Sequence, residues 1–209
     1  MTLPNQLTLL RILLTPVFVF LLFIDATWAK IGAFVVFTIA ALTDWYDGYA
    51  ARKLGGITMW GQFLDPLADK ILVSSGFICF SVIGYIPAWM VMVIVIRDFL
   101  ITIFRSYAII KSKPIQTSYF AKVKTFIQFG IIYFIFIYHL IVWENVEVAL
   151  QNKFLGITTS GYILIIMWLV IVLTVISALD YFLRNKEQFH IFGEYLSRVF
   201  RLSDKKREL

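Results

Sequence analysis

The residues with the most chemistry in them lie in the stretch "TDWYDGYAARKLGGITMWGQFLDPLADK", Thr43 to Lys70. Asp44, Asp47, Asp65 and Asp69 fall within 26 residues of a chain that is otherwise apolar almost throughout. On a helix, Asp44, Asp47, Gly48, Ala51 and Arg52 sit at i, i+3, i+4, i+7 and i+8, which is one face. Gly61, Asp65 and Asp69, spaced by four, share a face of the next helix. A short connection over 53–60 joins the two, so all four carboxylates can converge at neighbouring helix ends. An ionised Asp near the centre of a membrane helix costs about 2.5–3.5 kcal/mol. Four of them cost on the order of 10 kcal/mol before their mutual repulsion is counted. Protonation, pairing with bases, or divalent cations relieve that cost. Arg52 and Lys70 are too few to neutralise four carboxylates. Oxygen donors with no His or Cys nearby suit a hard ion, Mg2+ or Mn2+. Such a site fits a diphosphate: metals bridge its oxygens and offset charge on the leaving group. A carboxylate at its edge can take the proton of an attacking hydroxyl. Gly48 and Gly61 leave room beside the metals, where their other role is close helix packing. Pro66 leaves the carbonyl of Gln62 without its i+4 partner, an irregularity suited to a helix lining a polar cavity.

The elements that must position these residues follow from composition. The chain has 209 residues, 60% of them hydrophobic and only 15% charged, against roughly one quarter charged in a soluble domain. Mean hydropathy is +0.84. The solvent for most of this surface is lipid. Apolar runs of the length needed to cross a bilayer occur near 8–24, 30–50, 63–84, 87–109, 118–142 and 160–182. They are continuous rather than alternating, which predicts helices and not a barrel. The expected fold is therefore an all-α integral membrane protein with six transmembrane helices and a polar active-site cavity on the cytoplasmic side. Residues 1–183 form the membrane domain of this reading, and 184–209 a basic amphipathic tail. In that tail Phe189, Phe192, Leu196 and Phe200 recur at spacings of three and four, suited to the headgroup layer as well as to a plain solvated tail. Arg11 inside the first run, and no small-residue cleavage site after it, argue against a cleaved signal peptide.

Arg52 and Lys53, Lys111 and Lys113, and the basic tail mark one side of the membrane, while the opposite loops hold little beyond Lys30 and Lys153. The positive-inside rule places both termini and the 52–61 connection in the cytoplasm. The net charge of +6 fits this bias and attraction to anionic lipid, not nucleic acid. Cys79, the one cysteine, excludes an internal disulfide and reads as a small packing residue. His139 and His190 have no ligand spacing between them and read as structural.

The pattern Asp44-x2-Asp47-Gly48-x2-Ala51-Arg52-x8-Gly61-x3-Asp65-x3-Asp69 resembles the full signature of the CDP-alcohol phosphotransferases. Eight fixed positions across two helices make the likeness specific, and the six-helix layout extends it over most of the chain. The resemblance implies transfer of a substituted phosphoryl group from a CDP-linked donor to an alcohol, with release of CMP. It implies that Asp44, Asp47, Asp65 and Asp69 hold two divalent cations and that Asp69 is the general base. Gly48, Ala51, Arg52 and Gly61 are then expected around the cytidine diphosphate. Asn5 and Thr8, from "NQLTLLR", are expected at its nucleotide end, although Asn5 also suits a helix-start turn. A homodimer is implied as well.

"NQLTLLRILLTPVFV", "RDFLITIFRS" and "AKVKTFIQ" are most similar to the branch that joins CDP-diacylglycerol to glycerol 3-phosphate, a step of phospholipid biosynthesis. Asp98 stands where that branch usually shows Glu, and Ala121 where Gly is common. Arg97, Arg105, Lys122 and Lys124 suit the phosphate of such an acceptor, since guanidinium forks match phosphate oxygens. They also read as positive-inside anchors, Lys122 and Lys124 better than the deeper Arg97. Inositol phosphate, serine or a phospholipid are alternative acceptors for the same chemistry. A membrane prenyltransferase or an ion transporter would also use intramembrane aspartates, but neither requires the Gly, Ala and Arg positions around them.

Overall fold

The computed structural model describes the backbone of residues 3–54, 59–110, 119–144 and 159–184. Within these it describes the side chains of 6–43, 46, 67–106, 123–141, 143 and 161–183. Six helices carry the described residues: α1 (Leu3–Leu22), α2 (Thr27–Leu54), α3 (Met59–Ile83), α4 (Ala88–Ile110), α5 (Tyr119–Glu144) and α6 (Thr159–Arg184). Each apolar run read from the sequence falls on one of them. Val123–Ile141 and Gly161–Leu183 are long and apolar enough to cross a membrane, and Gln6–Leu22 and Thr27–Thr43 are shorter apolar stretches. Elsewhere charge interrupts the runs: Asp69 and Lys70 in α3; Arg97, Asp98 and Arg105 in α4. Tail residues 185–209, with His190, and the 145–158 connection lie outside the described residues.

Two turns show why the chain reverses where it does. After α1, the Lys30 ammonium donates to the carbonyl of Leu22 at 2.7 Å, capping a helix end whose last carbonyls have no partner of their own. After α3, Gly84 takes φ of +100°, a conformation open to Gly at no steric cost. The Tyr85 N–H then reaches back to the Phe80 carbonyl at 2.9 Å. Pro87, which needs no N–H partner at a helix start, leads into α4.

Each helix buries a stripe, and in α1, α4, α5 and α6 that stripe changes character along its length. In α1 it runs Thr8, Arg11, Thr15, Phe18, Leu22, polar first and apolar after. In α4 it runs Met90, Ile94, Asp98, Thr102, Ser106, apolar first and polar after. Lys124 and Gln128 precede Ile131, Ile132, Ile135 and Phe136 in α5, while in α6 Ile163, Met167 and Val170 precede Thr174 and Ser177. With successive helices antiparallel, all the polar halves meet at one end of the bundle. The apolar half is held by Phe18, Phe37, Phe80 and Phe136 from four helices, with Phe136 centroids 5.2–6.0 Å from the other three. Cys79 is buried in the same core.

The exterior is apolar too. Phe126 is 81% exposed, Phe20 70% and Ile165 67%, a surface that in water would demand a partner and against lipid demands none. Phe136→Ala should therefore lower stability by about 3–5 kcal/mol, read from unfolding in detergent. Phe126→Ala should leave that transition within about 0.5 kcal/mol of wild type.

Candidate active site

The polar end of the bundle is built around charged side chains, of which Arg11, Asp98 and Lys124 are buried. In α2 the buried series Ala33, Phe37, Ala40, continued at the same spacing, reaches Asp44, Asp47 and Ala51. In α3 Asp69 is one-third exposed and Ala68 and Leu72 beside it are buried. Steps of four back from Asp69 reach Asp65 and Gly61. Helix α3 continues through Pro66. The side chains of Asn5, Asp44, Asp47, Gly48, Ala51, Arg52, Gly61, Asp65 and Lys122 lie outside the described ones. The structure therefore places these residues along α1, α2, α3 and α5 only.

Asp69 is held from α1. Arg11, with no exposed surface, donates a charge-assisted hydrogen bond from Nη1 to Asp69 Oδ1. Thr15, one turn on, donates its hydroxyl to the Arg11 carbonyl at 2.9 Å. Thr8, one turn back, is buried beside them. The opening segment thus reaches the acidic helix through Arg11, a residue whose sequence signal was a lone cation in an apolar run.

A second cluster centres on Asp98, 3% exposed. Its Oδ1 accepts from Arg97 Nη1 at 3.0 Å and from Lys124 Nζ of α5. Its Oδ2 accepts from Gln128 Nε2 at 3.2 Å, and Lys70 Nζ of α3 lies 3.8 Å away. Arg97 continues to α6 through Nη2, which donates to Ser177 Oγ at 2.8 Å. Lys124 is 1% exposed, so it serves the interior and not the membrane surface. The structure therefore joins Arg97 to Lys124 and leaves Arg105 exposed on α4. It also gives Lys70 to Asp98, where the sequence pointed only to the neighbouring aspartates. An acid in the middle of an apolar run, next to an arginine, was the signal for this hub.

The donor set suits hard divalent cations. The described His139 and Cys79 sit in the opposite half, His139 Nδ1 within hydrogen-bond reach of the Tyr85 hydroxyl at 3.0 Å. No group of three His, Cys, Asp or Glu occurs among the described side chains, Asp44, Asp47 and Asp65 being outside them. An open groove of ≈ 660 Å³ between α1 and α3 begins beside this site. Ile12, Thr15, Pro16, Phe20 and Ile71 are among its walls.

A family model described as CDP-alcohol phosphatidyltransferase matches residues 1–184. A Bacillus subtilis protein named CDP-diacylglycerol–glycerol-3-phosphate 3-phosphatidyltransferase is 34% identical over 197 residues, 88% of this chain and 95% of its own. A Rickettsia felis protein of the same name is 32% identical over 194 residues, 90% and 97% of the two chains. A Mycobacterium tuberculosis protein named probable phosphatidylglycerophosphate synthase is 40% identical over 129 residues, 60% and 61% of the two chains.

The pairing of Arg11 with Asp69 is open to a double-mutant cycle with Arg11→Gln and Asp69→Asn. Unfolding in detergent should show a coupling of about 0.5–3 kcal/mol between the two positions. Strict additivity would mean that the contact contributes nothing.

Proposed function

The chain belongs to the CDP-alcohol phosphatidyltransferase family, and from that premise we propose that it transfers the phosphatidyl group of CDP-diacylglycerol to glycerol 3-phosphate. The products are phosphatidylglycerophosphate and CMP. One observation carries the choice of acceptor: Arg97, Lys124 and Lys70 surround a single carboxylate, Asp98, at the polar end of the bundle. Three cations against one anion leave about two positive charges, the complement of a phosphate monoester. The names of the relatives that span nearly the whole chain agree with that choice.

In this reading all six helices cross the membrane, and both termini and the polar cavity face the cytoplasm. Residues 1–183 are the catalytic domain, 184–209 a basic surface-lying tail, and the protein is a homodimer in the cytoplasmic membrane. CDP-diacylglycerol enters sideways from the lipid, with an acyl chain against the α1–α3 groove, whose apolar walls begin one residue from Arg11. Asn5, Thr8, Gly48, Ala51, Arg52 and Gly61 surround the cytidine diphosphate. The family uses divalent metal ions. Asp44, Asp47, Asp65 and Asp69 would hold two of them, Mg2+ or Mn2+, which supply positive charge against the diphosphate and the departing CMP. Arg97 and Lys124, aided by Arg105 and Lys122 once the acceptor is bound, hold the acceptor's phosphate and so fix where its hydroxyl lies. Asp69 takes the proton as that hydroxyl oxygen attacks the lipid-side phosphorus. The bond from this phosphorus to the bridging oxygen breaks, and CMP leaves with that oxygen. Arg11 keeps the Asp69 carboxylate in place between α1 and α3.

Purified protein given CDP-diacylglycerol and Mg2+ should release CMP when glycerol 3-phosphate is added, and EDTA should stop it. Release with inositol phosphate or serine instead would keep the aspartate site and discard this acceptor. Asp69→Asn should lower turnover by about 10²–10⁴-fold while metal binding persists. Undiminished turnover in that variant would remove Asp69 as the base.

A further inference from the structure

The sequence offers four basic residues for the acceptor phosphate and no reason why buried cations should stay together. Lys124 and Arg97, with Lys70 at the edge, crowd into a few ångströms where little water can screen their repulsion. Among the described residues the one acid in contact with all three is Asp98, and its carboxylate is used on both sides. Oδ1 takes Arg97 and Lys124; Oδ2 takes Gln128 and faces Lys70. Three helices, α3, α4 and α5, thus meet on one carboxylate. Arg97 extends the set to α6 through Ser177.

This cluster is incomplete as a purely structural knot. Among the described residues Arg97 Nε, Gln128 Oε1 and Thr174 Oγ1 are buried without a hydrogen-bond partner, although buried polar atoms are nearly always paired. Lys124 has three N–H donors, and among the described residues only Asp98 accepts from it. A guest that brings several acceptors and at least one donor would complete the set, and a phosphorylated polyol has both.

We propose that Asp98 is a positioning residue for the acceptor: it holds Arg97, Lys124 and Lys70 together before the acceptor binds, leaving their spare donors and about two positive charges for the incoming phosphate. The proposal rests on the reading of the preceding subsection, in which the acceptor is phosphorylated. Asp98 touches neither substrate in this account. It acts through the cations, so its loss should be felt in acceptor binding and not in donor binding or in the chemical step.

The test is steady-state CMP release by full-length wild type, Asp98→Asn, Asp98→Glu and Gln128→Leu in detergent. Titration with glycerol 3-phosphate and, separately, with CDP-diacylglycerol gives a KM for each. Asp98→Asn should raise the glycerol 3-phosphate KM by about tenfold or more, because the cations lose the anion that fixes them. The KM for CDP-diacylglycerol and kcat should stay within about threefold. Asp98→Glu keeps the charge and should recover most of the loss. Gln128→Leu keeps every charge, frees one carboxylate oxygen and removes the Oε1 left for the guest, so it should raise the same KM by a few fold. It reports even where Asp98→Asn does not fold. An unmoved or lowered acceptor KM in folded Asp98→Asn, or an unmoved one in Gln128→Leu, overturns the proposal. So does a proportional loss for both substrates. Wild-type protein that releases no CMP with any acceptor overturns the premise instead.

Discussion

Charge inside an apolar bundle must be answered by neighbouring charge, and this requirement organises the protein. With lipid-facing side chains such as Phe126 and Ile165 outside and a phenylalanine core within, an ionised group has nowhere to be solvated except by another helix. Asp98 answers Lys124, Arg97 and Lys70. Arg11 answers Asp69. Both clusters join elements distant in sequence, and a partner removed alone leaves a buried charge exposed to the full desolvation cost. The same requirement makes the aspartates of α2 and α3 candidates for metal: among the described residues Arg11 pairs with Asp69 alone, and Lys70 lies against Asp98.

The bundle is in effect two materials end to end. One half is a packed apolar block in which Phe18, Phe37, Phe80 and Phe136 lock α1, α2, α3 and α5 together. Its outer corner is pinned by Lys30, which caps α1 and lies 4.3 Å from the Trp143 ring centroid. The other half is polar, and among the described residues Arg97 Nε, Gln128 Oε1 and Thr174 Oγ1 there have no hydrogen-bond partner. An apolar block on one side leaves the buried polar atoms of the other half as the place where the proposed acceptor would bind. Family membership and the apolar helices make this an integral membrane protein, where such a division places water-soluble chemistry at one face and the lipid substrate beside it.

Much of this was legible before any coordinates. Continuous apolar runs gave the helices and their ends to within a few residues, because lipid tolerates no other way of satisfying the backbone. The shared faces of the aspartates followed from helical periodicity alone. The pairings were not legible. Arg11 and Asp69 are 58 positions apart, and nothing in a lone arginine says which acid it meets. Asp69 and Lys70 are adjacent, yet successive side chains diverge by about 100° around a helix, which sends Lys70 towards Asp98. Arg97 and Arg105 share a face only loosely, since eight residues leave them about 80° apart. One is largely buried and the other exposed. Lys124 also read as a surface anchor, and its burial between α4 and α5 is a tertiary fact that its neighbours in the chain do not encode.

The central claim is that the carboxylates of α2 and α3 are there to hold divalent cations against a diphosphate. Mn2+ titration of the purified protein, followed by electron paramagnetic resonance with CDP-diacylglycerol present, tests it most directly. About two bound ions per chain are expected, by analogy with paired metals in other phosphoryl-transfer sites, and fewer in Asp47→Asn and Asp65→Asn. Folded wild-type protein that binds no Mn2+, or variants that bind it with undiminished stoichiometry, would contradict the account.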